Sequence, residues 1–126
     1  MPLSAKDVNA LEQVRATLAA AHDLCASRGI RLIVAFIPTK FRVYHDLARF
    51  EPDSEVASWI LNDLPDRLLA LVAAVSREIG YLDLTPPLAE AARQGTLVHF
   101  PDDSHWSPEG HRVAAQAISD YIMRQR

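Results

Sequence analysis

Four glycines, two methionines and a single cysteine, Cys25, are all that this 126-residue chain holds of those residue types. One cysteine excludes a disulfide framework and a thiolate metal site. Cys25 lies on an apolar helical stripe and reads as a small core residue. No run of lysine or arginine exists, so the electrostatic footprint of a nucleic-acid binder is missing. No apolar run reaches the length that spans a bilayer, so no transmembrane segment is expected. The first residues lack a basic region followed by an apolar core, no export signal is read there, and localisation stays unknown. Repeats and low-complexity stretches are absent too. What is present is ordinary for a globular protein: 49% hydrophobic residues, 23% charged, and a net charge of −3 with acids and bases interspersed. The length suits one small domain with one core, and no linker divides it.

Val8, Leu11, Val14, Leu18, Ala21 and Cys25 recur at helical spacing and predict an amphipathic helix near residues 5–28, stopped by Gly29. Ile30 to Ile37 is a nearly continuous apolar run, predicted as a strand buried on both faces of a parallel sheet. Pro38 ends it. Residues 38–44 are then expected as a loop leaving the carboxyl end of that strand, the edge where open α/β sheets bind ligands. Lys40 and Arg42 are site-edge candidates there; the plainer reading is a solvated loop with Phe41, Val43 and Tyr44 packed beneath. Residues 45–63 read as irregular or weakly helical, broken at Pro52, with Asp53 or Ser54 capping a short helix through Val56, Trp59 and Ile60. Pro65 opens a helix with the stripe Leu68, Leu71, Val72, Val75 and Ile79, closed by Gly80. Tyr81 to Leu84 is a short strand, and Thr85 caps a helix running to about Gln94. Leu97 to Phe100 is either a last short strand or an extended lead-in. A final helix starts at Pro108, with Val113, Ala114, Ala117, Ile118, Tyr121 and Ile122 inward. Strands alternating with helices predict an α/β fold, a parallel sheet flanked by helices. Two or three strands are too few neighbours for the buried run, so the sheet reads as incomplete.

The chemistry concentrates between Phe100 and His111. Asp102 and Asp103 precede His105, and a helix start follows at once. Ser107 suits the N-cap, Pro108 the first helical position, and Glu109 the positive end of the helix dipole. A carboxylate bonded to one imidazole nitrogen orients the ring and stabilises its protonated form, leaving the other nitrogen for a hydroxyl. Either aspartate can curl back to the ring, whereas Ser104, adjacent to the histidine, is badly placed as its nucleophile. Two other readings stay open on the residues alone. One is a plain turn with a surface histidine. The other is a metal site drawn from His99, Asp102, Asp103, His105 and His111; no helical histidine pair at four-residue spacing supports it, and no metal is assigned.

Asp103-Ser-His105-Trp106, followed by Pro108-Glu-Gly110-His111, resembles the Asp/His block of the SGNH, or GDSL-type, hydrolases. The variant it matches is the Asp-x-His-Trp form of the alginate O-acetyltransferase-like branch. Ile37-Pro-Thr-Lys40 with Val43-Tyr44, and Leu82-Asp-Leu84, extend the likeness to about residues 24–122. The resemblance implies part of a flavodoxin-like three-layer fold. It implies a serine attacking an acyl ester or acetylated carbohydrate, with water or a sugar hydroxyl accepting the acyl group, and no cofactor. Carried over, His105 is the base and Asp103 its orienting acid. Asp102 is the alternative acid, and Trp106 and Lys40 are candidate substrate contacts. Members of this family are often periplasmic, secreted or membrane-tethered. Their Gly-Asp-Ser nucleophile block and Gly-x-Asn oxyanion block do not occur in this sequence. The expectation is therefore that residues 1–126 form a single domain that is a portion of a larger SGNH hydrolase-like domain. It would supply Asp and His and depend on a missing serine-containing segment. A standalone non-catalytic carbohydrate-binding or interaction domain derived from that fold is the alternative. A complete enzyme using Ser54, Ser58 or Ser107 as nucleophile is the third reading.

Overall fold

Ser4 opens the first helix with a capping box: its hydroxyl accepts from the Asp7 amide while the Asp7 carboxylate accepts from the Ser4 amide. The computed structural model describes residues 4–125. Its elements in order are α1 (Ala5–Ala26), β1 (Ile33–Phe36), α2 (Lys40–Tyr44), a 3-10 turn (Glu55–Ser58), α3 (Leu64–Val75), β2 (Gly80–Asp83), α4 (Thr85–Arg93) and α5 (Pro108–Arg124). The Gly80 amide donates to the Leu32 carbonyl at 2.9 Å and the Leu84 amide to the Phe36 carbonyl at 3.1 Å. Both partners advance by four residues together, so β1 and β2 run parallel, and the chain is mixed α/β with a two-stranded parallel sheet.

Two compact units are distinguished, one built from the chain up to Val34 and from Ser58 to Tyr81, the other from Ala35 to Ala57 and from Leu82 onward. In the first, α1 packs on α3. Val72 and Ile79 are buried, and the Tyr81 hydroxyl donates to the Pro65 carbonyl at 2.9 Å. Gly29, at φ 66°, ends α1 as expected, because the left-handed backbone there costs a glycine little. The expected stripe is only partly covered: Leu11, Leu18, Ala21 and Cys25 are half-buried, while Val8 and Val14 are exposed. A 22-residue helix is about 33 Å long and its 12-residue partner about 18 Å, so α3 covers only part of it.

In the second unit, α4 packs against α2 and α5 around Val43, Leu84, Leu88, Ala92, Val98 and Ala114. Along α5, Ala114 is buried and Val113, Ala117, Ile118 and Tyr121 are half-buried, but Ile122 is exposed.

Four expectations are corrected. The Ile30–Ile37 run is not buried on both faces: Ile30 and Ile37 are exposed, Ala35 is exposed, and only Ile33–Phe36 is strand. Among the described residues β2 is its sole neighbour. Residues 40–44 are not a loop but a short helix, because Thr39 caps it through its hydroxyl to the Arg42 amide. Val43 is buried beneath it, as read. Helix α3 stops at Val75 instead of Ile79. Ser76 turns extended and its hydroxyl takes the Glu78 amide, offering the backbone an alternative to the helix, and Ile79 is buried on the way into β2. Thr85 does not cap α4; the Asp83 carboxylate accepts the Thr85 amide at 2.8 Å, and the Thr85 hydroxyl is buried without a partner.

The start of α5 is held most closely. The Ser107 amide donates to the Val98 carbonyl at 3.0 Å, the Ser107 hydroxyl donates to the Leu97 carbonyl, and the same oxygen accepts from the Gly110 amide at 3.1 Å. A Cβ on Gly110 would stand 2.0 Å from the Val98 carbonyl oxygen, so only glycine admits this approach. Gly110→Ala should therefore lose about 3 kcal/mol of unfolding free energy in urea, the upper part of the overpacking range. A loss below about 0.5 kcal/mol, the size of an ordinary surface change, would contradict the close approach.

Candidate active site

Residues 97–100 form no ladder strand. They are an extended lead-in, and His99 pairs with Trp106 in an isolated antiparallel bridge. Inside that bridge the Phe100 amide donates to the His105 carbonyl at 3.1 Å. At the loop's tip, Asp103 Oδ1 accepts the His105 amide at 3.1 Å and lies 2.7 Å from His105 Nδ1. Taking the amide two residues ahead is the ordinary Asx turn, and it delivers the same carboxylate oxygen to the ring. The bond from His105, followed by the His105 amide, holds the Asp103 carboxyl below its usual range. An ionised carboxylate only accepts, so Nδ1 carries the proton in this pair and Nε2 is left to exchange one. Among the described residues no hydrogen bond reaches Nε2. The His105 side chain is 81% exposed and that of Asp103 48%.

The other sequence candidates fall into separate roles. Asp102 is exposed, and the ring's partner is Asp103, not Asp102. Lys40 does reach the loop, but through backbone: Nζ donates to the carbonyls of Phe100 at 2.7 Å, Pro101 at 2.8 Å and Asp103 at 3.1 Å. Trp106 is half-buried, packs on the core of its unit, and makes a T-shaped contact with the His111 ring at 5.4 Å between centroids. His99 is only 2% exposed, with Tyr44 edge-on at 5.7 Å and Nδ1 without a partner. The five residues weighed as metal ligands do not converge; among the described residues no three His, Cys, Asp or Glu side chains stand together as ligands. The Ser107 hydroxyl is committed to the Leu97 carbonyl and the Gly110 amide. No helix among the described residues is long and apolar enough to cross a membrane.

The chain as a whole, this loop included, matches a known domain model over residues 2–126. That model is described as the SGNH hydrolase-like domain of acetyltransferase AlgX. The chain belongs to this SGNH hydrolase-like family. It is 30% identical over 118 residues to a probable alginate O-acetylase AlgJ of Pseudomonas putida, covering 91% of this chain and 28% of that protein. A probable alginate O-acetylase AlgJ of Pseudomonas syringae pv. tomato is 34% identical over 82% of the chain and 25% of its own length. The alginate biosynthesis protein AlgX of P. putida is 30% identical over 80% and 21%. The chain thus spans about a quarter of the relatives it matches. No solved structure matches it.

Within this SGNH hydrolase-like chain, two supports escaped the sequence reading. The sequence reads Tyr44 only as packing, yet its hydroxyl accepts the Val98 amide at 3.0 Å and ties α2 to the lead-in. The sequence puts Lys40 at the sheet edge, but nothing in its spacing signals three carbonyls 60 and more residues away. His99 adds a pH dependence. Burial first, and then the Lys40 charge, lowers its pKa from 6.5. The unfolded chain therefore takes up a proton at a higher pH than the folded one. His99's contribution is intact above about pH 6.5 and is lost as pH falls from there to the folded value. His99→Phe keeps a ring but takes no proton. Its urea midpoint should fall less between pH 7.5 and 5.5 than the parent's, and equal slopes would refute the assignment.

Proposed function

We propose that this chain supplies the histidine base and its orienting acid, His105 and Asp103, to a Ser–His–Asp acyl-transfer centre. The observation that carries this is the 2.7 Å Asp103 Oδ1–His105 Nδ1 bond with Nε2 left unbonded. The nucleophile and the oxyanion donors come from a serine-containing segment outside these 126 residues. The substrate class is an acyl ester, with transfer of an acetyl group to or from a carbohydrate hydroxyl. The names of the AlgJ and AlgX relatives favour an alginate-like uronate polymer as acceptor. In this reading the chain, with its family portion, is part of a larger SGNH hydrolase-like domain.

The chemistry follows from the tautomer. Nε2 takes the serine proton as the serine oxygen bonds to the acyl carbonyl, and the ring becomes an imidazolium. The Asp103 carboxylate, already bonded to Nδ1, stabilises that charge without moving. Nε2 then returns the proton to the departing alcohol oxygen as its bond to the acyl carbon breaks. A sugar hydroxyl or water repeats the sequence on the acyl-enzyme, again losing its proton to Nε2. The reaction needs no cofactor.

The test is acetyl-ester turnover by the full-length protein. His105→Ala should lower kcat about a thousandfold, the middle of the range for a general base. Its melting temperature should stay within about 2 °C, because an exposed hydrogen-bonded pair adds little stability. Asp103→Asn should lower kcat about as far, and Asp102→Asn should not. Full activity in His105→Ala would overturn the proposal. Saturable saccharide binding without turnover would favour the non-catalytic carbohydrate-binding reading.

A further inference from the structure

We propose that Lys40 is the positioning residue of the Asp103–His105 pair, acting as a cation clamp on the loop backbone rather than as a contact to substrate. This rests on the reading of that pair as an acyl-transfer dyad. An ammonium has three N–H donors. All three of Lys40's find carbonyl oxygens, those of Phe100, Pro101 and Asp103, within 2.7–3.1 Å. A group so saturated has no donor left for an acyl or sugar oxygen.

The geometry explains what the clamp does. Lys40 is the first residue of α2, and Thr39 caps that helix. The stem therefore leaves a fixed backbone just beyond β1. Three carbonyl dipoles turned toward one point repel one another, and the loop's own closing bond there, Asp103 amide to Phe100 carbonyl, is long at 3.4 Å. A cation at their focus converts that repulsion into charge-assisted bonds. One of the three carbonyls belongs to Asp103 itself. Fixing the peptide plane beyond Asp103 fixes the turn through which its carboxylate meets both the amide and the ring of His105. Arginine does not replace this function, since its planar fork aims donors side by side instead of three ways from one atom.

Two measurements on the full-length protein test the clamp without any turnover. Lys6 and Lys40 are the only lysines among these 126 residues, and Lys6 is exposed. Limited acetylation with an N-hydroxysuccinimide ester, read by peptide mass spectrometry, should modify Lys40 at least tenfold more slowly than Lys6. Equal rates would overturn the clamp, whether or not any variant folds. Next, the Asp103 carboxyl carbon is titrated by NMR in the parent and in Lys40→Met, which keeps the stem and removes the donors. In the folded variant the Asp103 midpoint should rise toward the ordinary aspartate value; a merely structural lysine would lower the melting temperature and leave that midpoint in place. An unchanged midpoint overturns the proposal.

In the full-length enzyme, Lys40→Met should lower kcat about a hundredfold with KM within twofold, the scale of a misplaced catalytic group. The opposite split, a raised KM with kcat kept, would assign Lys40 to substrate and overturn it. Full activity in His105→Ala removes the dyad, and with it the positioning role, while slow Lys40 labelling and a raised Asp103 midpoint would still stand as properties of the loop.

Discussion

Residues 97–98 and 107–110 are fastened to each other, and everything at the loop tip depends on that closure. The Ser107 amide and hydroxyl take the carbonyls of Val98 and Leu97, and Gly110 has no side chain to hold the helix away. The mouth of the loop is therefore shut by buried groups: Val98 is wholly covered and Ser107 nearly so. A chain closed at its base loses most of its freedom before any tip contact forms. The bridge between His99 and Trp106 and the bond from Phe100 to His105 then continue inward from that base. By the time Asp103 is reached, a local Asx turn suffices to bring carboxylate and imidazole together.

The charges around the loop are mutually consistent. The Lys40 ammonium holds the loop carbonyls on one side, and buried His99 lies close enough to feel its charge. Two cations so close would repel in a medium that screens poorly. A neutral His99 beneath a charged Lys40 is the arrangement that keeps the clamp closed. Tyr44 completes it, in T-shaped contact with the His99 ring and accepting the Val98 amide with its oxygen. Short helix α2 thus reaches the loop segment through Lys40 at its first residue and Tyr44 at its last.

What could be read in advance follows the range of the interactions. Gly29, the N-cap of α5 and the reach of an aspartate to His105 are local matters of a few residues, and each was legible. The run from Ile30 to Ile37 was misread as buried on both faces, because apolar composition records what a strand is suited to, not what covers it. Helix α2 was missed for a different reason: five residues are too few to show a helical period, and only the Thr39 cap signals it. Spacing alone lets either Asp102 or Asp103 curl back; the resemblance prefers Asp103, and the turn bonds Asp103 to the ring. Lys40's role was out of reach, because its partners are backbone oxygens and carry no residue-type signal at all.

The exposure of the pair bears on how the proposed centre would work. In water, a carboxylate beside an imidazolium is heavily screened, so Asp103 contributes chiefly by fixing ring and tautomer. Electrostatic stabilisation of a developing oxyanion requires donors preorganised in a site from which water is excluded. With the His105 side chain 81% open, that exclusion would, in the proposed centre, come with the segment that brings the serine. One docking event would then do three things: supply the nucleophile, supply the oxyanion donors, and raise the strength of the Asp103–His105 interaction by removing solvent. A pair held by local backbone contacts suits such an arrangement, because its geometry is set before the partner segment arrives and no reorganisation of the loop is needed when it does.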